Sequence, residues 1–138
     1  MNWITAAILT AGALGIAGIA AAASPKPDNR VFEMRTYIAN PGKMSALHAR
    51  FKNHTTRLFE KHGMTNVGYW SPTSGDNAEN TLVYILAYPS KEAREKSWKD
   101  FLADPEWVKA KADSEKDGVL VGKVISVFMT GTDYSAIK

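Results

Sequence analysis

The sequence predicts an α+β domain of ferredoxin-like order, β-α-β-β-α-β, with a four-stranded antiparallel sheet and its helices on one face. Three observations predict it. Four stretches are β-prone, "VFEMRTYIA", "TNVGYW", "TLVYILAY" and "VLVGKVISVFM". Stretches of helical period fill the first and last intervals between them. Turn signals separate the pieces: "NPG", "HG", "SPTSGDNAEN" and "DG".

The first strand alternates. Phe32, Met34, Thr36 and Ile38 share one face, and Val31, Glu33, Arg35 and Tyr37 share the other. Asn40–Gly42 is a turn. Met44, Leu47, Phe51, Thr55, Leu58 and His62 then recur at spacings of 3 and 4, which predicts a helix with one inward stripe. Gly63 closes it as a C-cap glycine. "TNVGYW" is a short strand. "TLVYILAY" is apolar on both faces and is expected at the centre of the sheet. Ser90 caps the next helix, with Glu92 in its first turn and Arg94, Trp98, Phe101 and Leu102 on one face. Asp104-Pro105 restarts the helix, with Asp as N-cap and Pro as first helical residue. Asp117-Gly118 ends it before the last strand.

With 138 residues, one domain is the expectation. A hydrophobic share of 45% supplies a core and excludes a disordered chain. The net charge of +3 comes from bases interleaved with acids, as in "KEAREKSWKD", so no one-signed stripe offers itself to nucleic acid. There is no cysteine, which excludes disulfides, thiol catalysis and thiolate metal sites.

Met1 to Ser24 is a charge-free Ala/Gly-rich run ending in "AAAS", where Ala21 and Ala23 satisfy a small-x-small cleavage pattern that makes residues 1–23 the signal. The expected outcome is a cleaved export signal and a periplasmic or secreted domain. The second choice is an uncleaved membrane anchor, since about 20 apolar residues suffice to span a bilayer. Residues 24–30 are a linker containing "SPKPD", residues 31–130 the folded domain, and residues 131–138 a tail. If Val31, Glu33, Arg35 and Tyr37 lie on the bare sheet face, an isolated chain exposes a large mixed patch. Such a patch calls for a partner, so a homodimer formed through the sheet is expected.

"FEMRTY", "PGKM", "HGMTNVGYW", "LVYILAYPSKEAREKSW" and "DPEW", in this order and spacing, resemble the NIPSNAP domain over Val31 to Met129. The resemblance implies the dimeric α/β-barrel superfamily, in which two ferredoxin-like sheets close one barrel. That superfamily holds cofactor-free monooxygenases, haem-handling enzymes and lactone isomerases, with a cavity between sheet and helices. A fold likeness does not assign one of these reactions.

Several residues are candidates for a site. His62 and His54 are candidate acid–base groups or haem ligands. For His62 the structural alternative is a ring that packs on Trp70 and caps a carbonyl at the helix end. His48 and His54 stand about 120° apart around the helix, and His54 and His62 about 12 Å apart along it, so no pair shares a metal and no metal site is expected. No cofactor is expected, haem being the one exception that the superfamily admits. Trp70, Tyr84, Tyr88, Arg94 and Trp98 are candidates to line the cavity, with Trp70 set on the helix side beside Gly68. Tyr69 and Trp70 are adjacent in a strand and face opposite ways. Glu33, Arg35 and Tyr37 are the dimer-face candidates, the charged pair needing each other if buried. There is no G-x-S-x-G, phosphate loop or H-E-x-x-H. The function expected is binding of a small, largely apolar molecule in the cavity. A cofactor-free monooxygenase or haem-handling enzyme and a ligand-free interaction module are the alternatives.

Overall fold

The computed structural model describes residues 30–138. The expected signal or anchor, 1–23, and linker residues 24–29 lie outside the described residues. Four strands, β1 (Val31–Ala39), β2 (Thr65–Trp70), β3 (Thr81–Tyr88) and β4 (Val121–Met129), form one antiparallel sheet in the order β2-β3-β1-β4. β1 and β3 are central, as the two-sided apolar character of "TLVYILAY" leads one to expect. The helices are α1 (Met44–Arg50), α2 (Thr56–Lys61), α3 (Lys91–Ala103) and α4 (Pro105–Ser114).

α1 and α2 are one rod joined by a π-helical turn, Phe51–Thr55. The Thr55 and Thr56 hydroxyls donate to the carbonyls of Arg50 and Phe51, five residues back, at 3.3 and 3.2 Å. The rod ends at Gly63, whose φ of +79° is in the left-handed region. Gly63 N–H donates to Glu60 O and Met64 N–H to Phe59 O, both at 3.0 Å, which is the Schellman closure. Ser90 caps α3 by accepting from Ala93 N–H at 3.0 Å, and Asp104 caps α4 by accepting from Glu106 N–H at 2.8 Å.

The core lies between the sheet and the helices. Leu47, Leu58, Phe59, Tyr84, Leu86 and Phe101 are fully enclosed there. Glu33, Arg35 and Tyr37 are also on this side, not on the bare face. Arg94 of α3 reaches Glu33, the Arg35 guanidinium stands 4.3 Å over the Trp98 ring, and Tyr37 meets Phe51 edge-on. This corrects the dimer-face assignment of all three. Alternation fixes which residues share a face but not which face the helices cover. Here α3 brings an arginine to the buried carboxylate, so the polar trio lies inside and its alternate set outside.

The outer face is largely apolar. Met34 and Thr36 lie between Ile85 and Val83 on β3 and Val127 and Ile125 on β4, and Ile38 lies between Thr81 and Lys123. Residues 130–138 fold over one corner of it, where Phe32, Val67, Ile85 and Met129 meet Gly131 and Ile137. Arg30 donates to the Lys138 backbone oxygen.

Candidate functional site

The site is built on Glu33. Its carboxylate has no exposed surface, and four side chains satisfy it. Oε1 accepts from Arg35 Nη1 at 2.6 Å, Arg94 Nη2 at 2.9 Å and Ser126 Oγ at 2.7 Å. Oε2 accepts from Tyr88 Oη at 2.8 Å and Arg94 Nε at 3.1 Å. Burial by itself would raise this carboxyl. The donors Arg94, Ser126, Tyr88 and Arg35 outweigh it and hold the group at about 2. The anion in turn fixes two guanidiniums.

Arg35 is held on three sides. It donates to Glu33, to Tyr84 Oη from Nε at 2.9 Å, and to Tyr37 Oη at 3.4 Å. Burial lowers its affinity for the proton, but the Tyr37 and Tyr84 oxygens and Glu33 reverse the balance and push its pKa up. Trp98 donates from Nε1 to Tyr88 Oη at 2.8 Å, so the indole that stacks under Arg35 is anchored to the same network. Burial pushes the Tyr84 and Tyr88 phenols up, so both stay protonated.

Above this floor is a cavity of about 490 Å³ between sheet and helices. Phe51, Phe59, Trp98, Phe101 and Trp107 give it aromatic walls, and Arg35, Arg50, Arg94 and Lys111 bring positive charge to it. Its apolar rim includes Leu102, Val119 and Val124, all exposed.

The predicted cavity residues divide. Arg94 and Trp98 line it, Tyr84 and Tyr88 lie beneath it in the hydrogen-bond network, and Trp70 is elsewhere. Trp70 is 51% exposed and shares the outer face with Gly68, where an added Cβ would stand 2.6 Å from its ring. Tyr69 takes the inner position, stacked on Tyr84 with ring centres 5.4 Å apart. Gly68 does make room for Trp70, as its sequence position suggests, but on the opposite face. The cause is a bulge between Asn66 and Gly68, which resets the alternation.

His62 does not reach the cavity. It ends α2, and its Nε2 stands 2.7 Å from Asp104 Oδ2, which also accepts from Lys61 Nζ at 2.7 Å. Lys61, then His62 and the Glu106 N–H lower the Asp104 carboxyl well below the usual carboxylate range. The ring lies edge-on to Phe101, not on Trp70, and its partner is a carboxylate and not a carbonyl. His54 lies in the π-helical turn and faces a groove between α1 and α4 with Ala46, Ala110 and Asp113. His48 is exposed on α1. Among the described residues no three histidine or acidic side chains converge as a metal site.

Sequence reasoning missed Arg50, Trp107 and Ser126, and it placed Phe101 on one face with Arg94 and Trp98 without assigning it to the cavity. Arg50 follows Leu47 by three residues and so borders the inward stripe, but a charge there reads as surface. Ser126 is reached only through the pairing of β4 beside β1 at Arg35.

Comparisons with known proteins agree with this architecture. The NIPSNAP family model matches residues 32–136. A NIPSNAP-family protein of unknown function from Agrobacterium tumefaciens superposes with a TM-score of 0.69 at 22% identity, covering 80% of this chain and 96% of that one. An uncharacterised NIPSNAP-like domain protein from Burkholderia xenovorans gives 0.68 at 18% identity, covering 78% and 90%. SnoaB, a cofactor-independent oxygenase from Streptomyces nogalater, gives 0.50 at 16% identity, covering 76% and 95%. No curated protein matches the chain. The fold is therefore that of the ferredoxin-like α/β domains, similar to the dimeric α/β-barrel proteins, and the chain belongs to the NIPSNAP family.

Proposed function

We propose that the protein binds a small, largely apolar molecule in the sheet–helix cavity, working outside the cytoplasm as a pair of chains joined through the open sheet face. One observation carries the binding: a cavity of about 490 Å³ with aromatic walls over a floor that ion pairs hold rigid. Ligand sites occupy about 300–1,000 Å³ and combine an apolar lining with a few fixed polar groups. Arg35 and Arg94 are such groups, because Glu33 removes their freedom to move before any ligand arrives.

The pairing is supported by Met34, Ile38, Val83, Ile85, Ile125 and Val127, which make one apolar surface on a face the helices leave open. The charge-free run over residues 1–23 supports export. The monooxygenase or haem alternative would use the same cavity, but neither His62 nor His54 lines it. The oxygenase activity is that of SnoaB, and at 16% identity the likeness to it carries the fold alone.

Native mass spectrometry of the protein purified from its own host tests all three parts. The expected species holds two chains, each starting at Ser24, and keeps a small organic mass. Val124→Trp at the cavity rim should exclude that mass. The absence of any added mass from wild type overturns the binding. A single chain at every concentration overturns the pairing, and an intact Met1 in the membrane fraction favours the anchor.

A further inference from the structure

We infer that the ligand of this cavity is an acid, a flat apolar body bearing a carboxylate, and that Arg50 is the residue that recognises its charge. The inference rests on the cavity-binding proposal above and adds the chemical class of the ligand.

Arg50 is the last residue of α1, and 4% of its side chain is exposed. It donates through Nη1 alone, to Glu115 Oε1 at 3.1 Å and Ser114 Oγ at 3.3 Å. Nε is buried and has no hydrogen-bond partner among the described residues. Nη2 donates to no described residue either. One whole edge of the guanidinium, Nε with Nη2, is thus unused on a side chain that lines the cavity. A buried donor left without a partner is costly, and native proteins seldom leave one without a reason.

Arg94 shows what that edge takes. In the same cavity it presents Nε and Nη2 together to the Glu33 carboxylate, at 3.1 and 2.9 Å. A guanidinium edge and a carboxylate match as two parallel hydrogen bonds. At Arg50 no carboxylate of the described residues fills that edge.

The charges around the cavity have the same sign of imbalance. Arg35 and Arg94 share Glu33. Arg50 and Lys111 share Glu115. Arg94 also meets the exposed Glu95 at 3.3 Å. Four cations therefore stand against three carboxylates, in surroundings dominated by Phe51, Trp98, Phe101 and Trp107. Trp107 lies under the Arg50 guanidinium at 5.2 Å and helps fix its plane. The Thr55 hydroxyl holds the Arg50 carbonyl from the π-helical turn, which fixes the backbone that carries it. A surplus of fixed positive charge in an apolar cavity favours an anion over a neutral molecule of the same shape.

Isothermal titration calorimetry of the purified protein with 2-naphthoate and 2-naphthamide tests this. The two share one ring system and differ in charge. The expected result is naphthoate at least about tenfold tighter than naphthamide, the scale of a charge-assisted fork. Arg50→Gln should reduce that preference to about twofold or less, by weakening naphthoate more than naphthamide. Arg50→Lys, which can keep the pair with Glu115, provides a folded reference that loses the fork but not the charge, and should fall between. Equal binding of the two probes to wild type overturns the acid and leaves the cavity proposal standing. Binding of neither probe overturns the acid and counts against the cavity proposal as well. A naphthoate preference that survives both substitutions removes Arg50 from the role.

Discussion

Glu33 decides the chemistry of the site at the scale of single residues. A carboxylate with no exposed surface is tolerable only because two guanidiniums, a phenol and a hydroxyl donate to it. Its pKa falls from the usual 4.5 to about 2, so the folded chain binds fewer protons than the unfolded one between those values. The stabilisation is therefore complete above pH 4.5 and is lost as the pH falls toward 2. It corresponds to about 3 kcal/mol. Glu33→Gln should flatten this acid limb and cost about 3–5 kcal/mol at neutral pH, because Arg35 and Arg94 then lack their counter-charge. Thermal denaturation between pH 2 and 7 checks both, and an unchanged acid limb in the variant contradicts the assignment. The sequence made the Glu33–Arg35 pairing legible through their spacing of two in a strand. It did not reveal Arg94 as the second partner, since α3 and β1 meet only in the folded chain.

Among the elements, the rod of α1 and α2 shows what periodicity can and cannot give. The stripe from Met44 to Leu58 and the stop at Gly63 are legible, because apolar spacing and a left-handed glycine have local signatures. The π-helical turn at Phe51–Thr55 is not, because its bonds depend on the hydroxyls of Thr55 and Thr56 and on packing. His62 was legible as a helix-end residue, but its inward aim was not its destination, since Asp104 draws it to the α3–α4 junction. Gly63→Ala isolates the closure. Its Cβ would meet nothing nearer than Ser97 Oγ at 3.6 Å, so the cost is that of the left-handed backbone alone. Chemical denaturation should show a loss of about 1–2 kcal/mol with an unchanged denaturant slope. No loss would mean that the turn has an alternative closure.

For the molecule as a whole, element order was legible because strand alternation, helix period and turn residues agree with one another, and the family was legible from the resemblance of five short stretches to it. Which sheet face the helices cover was not legible. Both stripes of β1 carry apolar residues, and the choice rests on distant partners such as Arg94 and Trp98. The consequence is a division of labour between faces. The inner one carries an anchored, positively charged aromatic cavity, and the outer one a largely apolar sheet surface that the helices leave uncovered. The tryptophans report on that division directly. Trp98 and Trp107 line the cavity, whereas Trp70 lies on the outer face. The most direct test is a two-dimensional ¹H–¹⁵N spectrum of the indole N–H groups during titration with 2-naphthoate. The account predicts that the Trp98 and Trp107 signals shift together and saturate while Trp70 stays in place. Movement of Trp70 without the other two, or of none of the three up to the solubility of the probe, would contradict it.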